Sequence, residues 1–231
     1  MFEKIIEKKQ VQRYGKLNDV IDSSKYEEFV DGKKASDWGK ELYSDWAATY
    51  SKNIRILKEV FPKSSCIDSI SCYCGYMYKG MNEFLRDRKD NEANLYREMA
   101  HIMALEMCNA PRIDKNLVVY RCVDSKVIDD LIVQNKNGSA YQEEGFLSTS
   151  LLKKTITSNP EFNSFENVLK IYVEKNEIAI FADVLNNRNE KEIIFLPKCF
   201  IRLIKYPYKD TEIEKMVYEC KLINWNKLLE L

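Results

Sequence analysis

The sequence predicts an α+β fold: an N-terminal helical half, residues 1 to about 112, packed on a mixed β-sheet half, about 113–231, in one domain. Three observations predict it. Helical periodicity dominates before Asn116; short β-branched and aromatic runs dominate after it; and no repeat, low-complexity tract or linker separates the two. A chain of 231 residues that is 45% hydrophobic suffices for one substantial core.

The helices come first. SKYEEFVDGKKASDWGKELYSDWAATYSKNIRILKEVF supplies one or two, and in NEANLYREMAHIMALEM the residues Leu95, Met99, Ile102 and Met103 recur at i, i+4, i+7 and i+8, a core stripe. Pro62 and Pro111 mark helix ends. The strand candidates follow as LVVYRCV, GFLSTSL, VLKIYV, IAIFADV, EIIFLP, CFIRLIKY and MVYECKLI. All seven glycines fall at or before residue 145, so later turns need Asn186, Asn187 or Asn189, because asparagine tolerates the left-handed conformation.

Composition excludes several function classes. Lys plus Arg and Asp plus Glu are 36 each, so no broad basic field predicts a nucleic-acid or membrane partner. MFEKIIEKKQVQRYGK has no uninterrupted apolar core of a Sec-type signal, and no stretch of about 18 apolar residues follows. The seven cysteines are scattered without a C-x-x-C pair, which reads as reduced thiols rather than a disulfide framework or a metal site. His101 is the only histidine and lies off the core stripe, so H-E-x-x-H zinc chemistry is impossible and a triad would rest on that one residue. Neither G-x-G-x-x-G nor G-x-x-x-x-G-K-[ST] occurs.

Polar residues interrupt three of the strands. In LVVYRCV, Arg121 shares a face with Val119 and Val123, and a buried guanidinium needs an anion; a salt-bridged or snorkelling strand arginine fits equally. GFLSTSL puts Ser148 and Ser150 on one face and Thr149 on the other, as suits hydrogen bonding to a ribose, or simply an edge strand. In NEKEIIFLPKCF, a strand through Glu190 and Glu192 would point both the same way at a Cβ separation of about 7 Å, either as paired acids or as a solvated face.

Taken in order, an arginine on the first strand, a Ser-Thr-Ser strand and Glu-x-Glu after an Asn-rich turn resemble the Arg-Ser-Glu class of mono-ADP-ribosyltransferases, bacterial toxin branch, which includes the binary actin-modifying toxins and C3-like exoenzymes. A fourth element is an upstream helix with Tyr73, Tyr78, Asn82, Leu85 and Arg86, similar to that branch's Y-x4-Y-x3-N-x2-LR helix above the nicotinamide site. The resemblance spans residues 65 to 220 and implies an ADP-ribosyltransferase type of sheet core, NAD as co-substrate, no metal and a protein acceptor. It implies that Arg121 anchors the NAD phosphates, that Ser148 orders the catalytic Glu192 and the nicotinamide-side ribose with Thr149 and Ser150 beside it, and that Glu190 serves arginine as acceptor. Phe162 or Phe165 would stack on nicotinamide. The loop after the Ser-Thr-Ser strand lacks an arginine, leaving Lys153 or Lys154 to assist the diphosphate, and Arg121 is followed by Cys122 rather than a second basic residue.

The chemistry suits these residue types. Breaking the bond between ribose C1′ and nicotinamide develops an oxocarbenium-like cation that a carboxylate stabilises. An acceptor arginine is protonated, and a second carboxylate can orient it and help remove its proton. The expectation is an arginine-directed transferase, secreted without a Sec signal as an injected effector and acting on a host protein in the host cytoplasm. An NAD glycohydrolase, with water as acceptor, and a non-enzymatic binding module with a residual NAD cleft are the alternatives.

Overall fold

In the computed structural model, which describes residues 2–64, 67–88, 94–158, 160–186 and 189–223, helices precede strands. They are α1 (Phe2–Tyr14), α2 (Gly32–Val60), α3 (Ser69–Cys72), α4 (Tyr78–Asp87) and α5 (Leu95–Asn109). Asp31 caps α2 by accepting from the Lys33 amide at 2.8 Å, and Ala35, Trp38, Tyr43, Ala47, Tyr50 and Ile54 form its buried stripe. Gly39 lies on this stripe because a Cβ there would come within 2.2 Å of the Phe181 ring. On α5, Met99 and Met103 are fully buried, Leu95 and Ile102 pack beside them, and His101 is exposed. Helices α2 and α5 stop two residues before Pro62 and Pro111.

The strands are β1 (Leu117–Val123), β2 (Tyr141–Glu143), β3 (Leu147–Ser150), β4 (Asn167–Val173), β5 (Ala179–Phe181), β6 (Glu192–Phe195), β7 (Cys199–Leu203), β8 (Tyr208–Lys209) and β9 (Met216–Ile223). They form one mixed sheet in the order β2-β7-β9-β4-β1-β3-β6-β5, with β8 on β9. The β4–β9 pair is parallel and the others are antiparallel. One core runs through both halves: Leu117, Val119 and Val123 pack with the helices, whereas Val118 and Tyr120 face a second cluster with Val168, Tyr172 and Val217.

The strand half also contains two helices that the sequence reading passed over, α6 (Ser125–Lys136) and the single turn α7 (Thr155–Ser158). Asp124 caps α6 by accepting from the Val127 amide at 3.0 Å, and Ile128, Leu131 and Asn135 are its buried positions. IAIFADV leaves the sheet after Phe181 for a helical turn, Ala182–Val184. Asn176 and Asn189 take the left-handed conformation, at φ 71° and 59°. Asn187 lies outside the described residues. Among the described residues, no helix is long and apolar enough to cross a membrane.

Candidate active site

The segment bearing Tyr73, Tyr78 and Asn82 is not one regular helix. Between α3 and α4, Tyr73–Met77 forms a wide turn in which Gly75 leaves helical geometry at φ −90°, ψ −109°. Residues five apart on a regular α-helix lie about 140° apart round the axis. The wide turn narrows that angle, and the Tyr73 and Tyr78 rings meet edge to face with centroids 6.5 Å apart. Tyr73 is buried, while Tyr78 is 40% exposed. Burial pushes the Tyr73 hydroxyl well above its ordinary range, against the pull of Asn82 and Arg121, so it is a neutral donor.

Asn82 ties this segment to the entry of β3. Its Oδ1 accepts from the buried Phe146 amide at 2.9 Å, and its Nδ2 donates to the Tyr73 hydroxyl at 3.1 Å, which in turn donates to the Phe146 carbonyl at 3.4 Å. Gly145 permits the approach, since a Cβ there would sit 2.8 Å from Asn82 Oδ1. Two residues on, the Ser148 hydroxyl donates to Glu192 Oε1 across the β3–β6 pair. Arg121 Nη1 donates to the Ser148 carbonyl at 3.3 Å. Three residues from three strands, distant in sequence, thus form one cluster, and burial pushes the neighbouring Cys122 thiol up to about 11, leaving it neutral.

The rest of the Ser-Thr-Ser strand is committed to the protein. Thr149 is buried and donates to the Ile193 carbonyl at 2.9 Å. The Ser150 hydroxyl donates to the Glu190 carbonyl at 3.0 Å and accepts from the Leu152 amide at 3.1 Å. Phe162 and Phe165 are half-buried on the segment between α7 and β4, where Lys215 Nζ binds both carbonyls. Lys153 does not stand free for a diphosphate: it pairs with Asp210 at 2.6 Å and Glu212 at 2.7 Å, two acids that the local sequence does not place beside it. Lys154 is exposed and lines a cavity of about 640 Å³ with Asp31, Lys33, Asn189 and Lys191.

Glu190 and Glu192 do not share a strand face. Strand β6 begins at Glu192, and Lys191 between them is left-handed at φ 53°, so alternation does not relate the two carboxylates. The cause is Asp183, a buried carboxylate that accepts from the amides of Lys191 at 3.1 Å and Glu192 at 3.3 Å and pairs with the buried Lys191 ammonium at 3.4 Å. Glu190 is half-buried in the turn, and its carboxylate makes no hydrogen bond or ion pair among the described residues.

One further residue of the cluster escaped sequence reasoning. Glu143, at the end of β2, has a side chain only 3% exposed and accepts at Oε1 from Arg86 Nε at 3.1 Å, Arg86 Nη2 at 3.0 Å and the Gly145 amide at 2.9 Å. Arg121 Nη2 lies 3.7 Å from its Oε2. The only sequence signal was an acid pair before G-F in QEEGFLSTS, which surface glutamates share.

Comparison with curated protein sequences finds no match. The fold is that of Plx2a, an ADP-ribosyltransferase toxin from Paenibacillus larvae, at 16% identity and a TM-score of 0.65 over 86% of this chain and 100% of that one. The ADP-ribosylating toxin BECa of C. perfringens, solved with NADH, matches at 18% identity and a TM-score of 0.68 over 86% of this chain, which spans 50% of its length. The Clostridium limosum C3 exoenzyme matches at 15% identity and a TM-score of 0.61 over 86% of this chain and 98% of that one. The sequence profile of the ADP-ribosyltransferase exoenzymes matches residues 35–221, and the chain belongs to that family.

Proposed function

We propose that this protein cleaves NAD and transfers ADP-ribose to an arginine of a host protein, releasing nicotinamide. The observation that carries the proposal is the Arg121–Ser148–Glu192 cluster in a chain of this family: Ser148 donates to the Glu192 carboxylate while Arg121 lies on the Ser148 carbonyl. The structures of BECa with NADH and of C3stau2 from S. aureus with NAD support NAD as the donor.

In this reading Arg121 takes the NAD diphosphate and Ser148 holds Glu192 in one orientation. As the C1′–nicotinamide bond breaks, the electron pair leaves with nicotinamide, and Glu192 faces the oxocarbenium-like cation and the ribose 2′-hydroxyl. Tyr78, with its exposed ring, and Phe162 or Phe165 are the aromatic groups available to nicotinamide. A new bond forms between C1′ and a guanidinium nitrogen of the acceptor, whose proton passes to Glu190. The position of Glu190 in a turn suits an acceptor that arrives with another protein. The second reading, a glycohydrolase, rests on Glu192 alone, which the scaffold holds through Ser148 and Asp183 and which cleavage of NAD needs without Glu190. Free thiols at the six described cysteines support action in a reducing host cytoplasm, reached as an injected effector.

Nicotinamide release and labelling of protein by tagged NAD, measured side by side, test the proposal. Glu190→Gln should keep nicotinamide release and lose protein labelling, and Glu192→Gln should lose both. Protein labelling retained in Glu192→Gln refutes the proposal; equal nicotinamide release with no protein labelled by the native chain establishes the glycohydrolase.

A further inference from the structure

We infer that Glu143 is a positioning residue for NAD binding, acting through the Arg121 guanidinium. The inference rests on the reading above that Arg121 holds the NAD diphosphate. A carboxylate as buried as Glu143 needs compensation by charge and hydrogen bonds, and it has three sources: Arg86, Arg121 and the Gly145 amide. How they are distributed matters. Oε1 takes every short bond, from Arg86 and Gly145, while Arg121 stands 3.7 Å from Oε2, beyond hydrogen-bond length.

Two opposite roles are open to a carboxylate beside a ligand-binding arginine. It can compete with the ligand for the N–H donors, or it can hold the guanidinium in place and leave those donors free. The distances decide for the second. Glu143 is already satisfied by Arg86 and Gly145, so it attracts Arg121 by charge without capping it, and Arg121 spends one donor on the Ser148 carbonyl at 3.3 Å. The Arg121 side chain itself is 20% exposed, so the guanidinium keeps access to a ligand. Arg121 is flexible and polar, and fixing it before the ligand arrives removes an ordering cost from binding. Glu143 also separates two guanidinium groups that would otherwise repel, and the trio of one acid and two arginines keeps one net positive charge for an anionic diphosphate. The same carboxylate fixes the Gly145 amide, three residues before Ser148, so it aligns the arginine and the serine strand together.

Glu143→Gln keeps an acceptor for Gly145 and removes the charge. The test is NAD binding by titration calorimetry and steady-state nicotinamide release for the native chain, Glu143→Gln, Arg121→Gln and the double variant. The expected result is NAD binding weakened about tenfold in Glu143→Gln, with KM raised to match and kcat within about twofold of native. The double variant should bind NAD no more weakly than Arg121→Gln alone. NAD bound as tightly as by the native chain, or more tightly, in Glu143→Gln overturns the inference, and so does a double variant in which the two losses add. If Arg121→Gln binds NAD like the native chain, the reading of Arg121 itself falls and the inference with it. Should Glu143→Gln not fold by circular dichroism, Glu143→Asp, whose shorter side chain draws the carboxylate back from Arg121, should still weaken NAD binding with kcat within about twofold of native, and native-like binding overturns the inference.

Discussion

Replacing Asn82 by leucine removes the clamp between the α4 segment and the entry to β3 while keeping much of the side chain's shape. The Phe146 amide is fully buried and loses its acceptor at 2.9 Å, which costs about 1–3 kcal/mol for a stranded donor. The Tyr73 hydroxyl loses the Nδ2 donor at 3.1 Å, a net loss of about 1 kcal/mol. Its remaining bond to the Phe146 carbonyl, at 3.4 Å, is too long to compensate. The sum is about 2–4 kcal/mol, and for a chain of this size that lowers the melting temperature by roughly 5–15 °C. Thermal and urea unfolding followed by circular dichroism measure it, and nicotinamide release on the folded variant should show a raised KM for NAD, because Ser148 sits two residues past the clamp. A loss below about 1 kcal/mol would refute the reasoning, since a buried amide without a partner cannot be that cheap.

Three further substitutions, one at the clamp and two elsewhere, have defined outcomes. Gly145→Ala puts a methyl 2.8 Å from Asn82 Oδ1 and should lower the melting temperature, but add little to Asn82→Leu, in which the clamp is already gone. Asp183→Ala leaves the buried Lys191 ammonium without its carboxylate and strips two amides of their acceptor; urea unfolding should show a loss on the order of 3–5 kcal/mol, partly restored by adding Lys191→Met. Glu219 is raised by burial, but bonds from Lys205 Nζ and the Tyr172 hydroxyl, both at 2.9 Å, bring it below the usual carboxylate range. A carboxyl lowered on folding contributes stability above its unfolded value and loses it as pH falls through the folded one. Glu219→Gln should therefore melt below the native chain at pH 7 and converge with it as pH falls through the lowered range of the folded carboxyl.

Much of the fold was legible because its signals are local. β1 and β9 follow LVVYRCV and MVYECKLI residue for residue, and the α5 stripe buries its predicted methionines. Helix α6 was missed although Asp124 offered a cap and Val127, Ile128 and Leu131 a helical spacing, because its valines and isoleucines have strand preference and it sits among strands. The left-handed Lys191 had no signal at all: a lysine rarely takes that conformation, and what holds it is Asp183, eight residues away in sequence and buried by tertiary packing. Glu143 was hidden for the same reason, since its partners arrive from α4 and β1. Arg121, Ser148 and Glu192 could be singled out because each breaks the apolar pattern of its own strand, whereas Glu190 could be identified by spacing but not placed.

Transfer of ADP-ribose from NAD to a protein arginine by this cluster, as proposed, is tested most directly by labelling a eukaryotic lysate with tagged NAD and mapping the modified residue by mass spectrometry, with Glu192→Gln as the control. A discrete labelled protein carrying ADP-ribose on arginine, absent with Glu192→Gln, is the predicted result. Modification on another residue type, or equal labelling by Glu192→Gln, would contradict it.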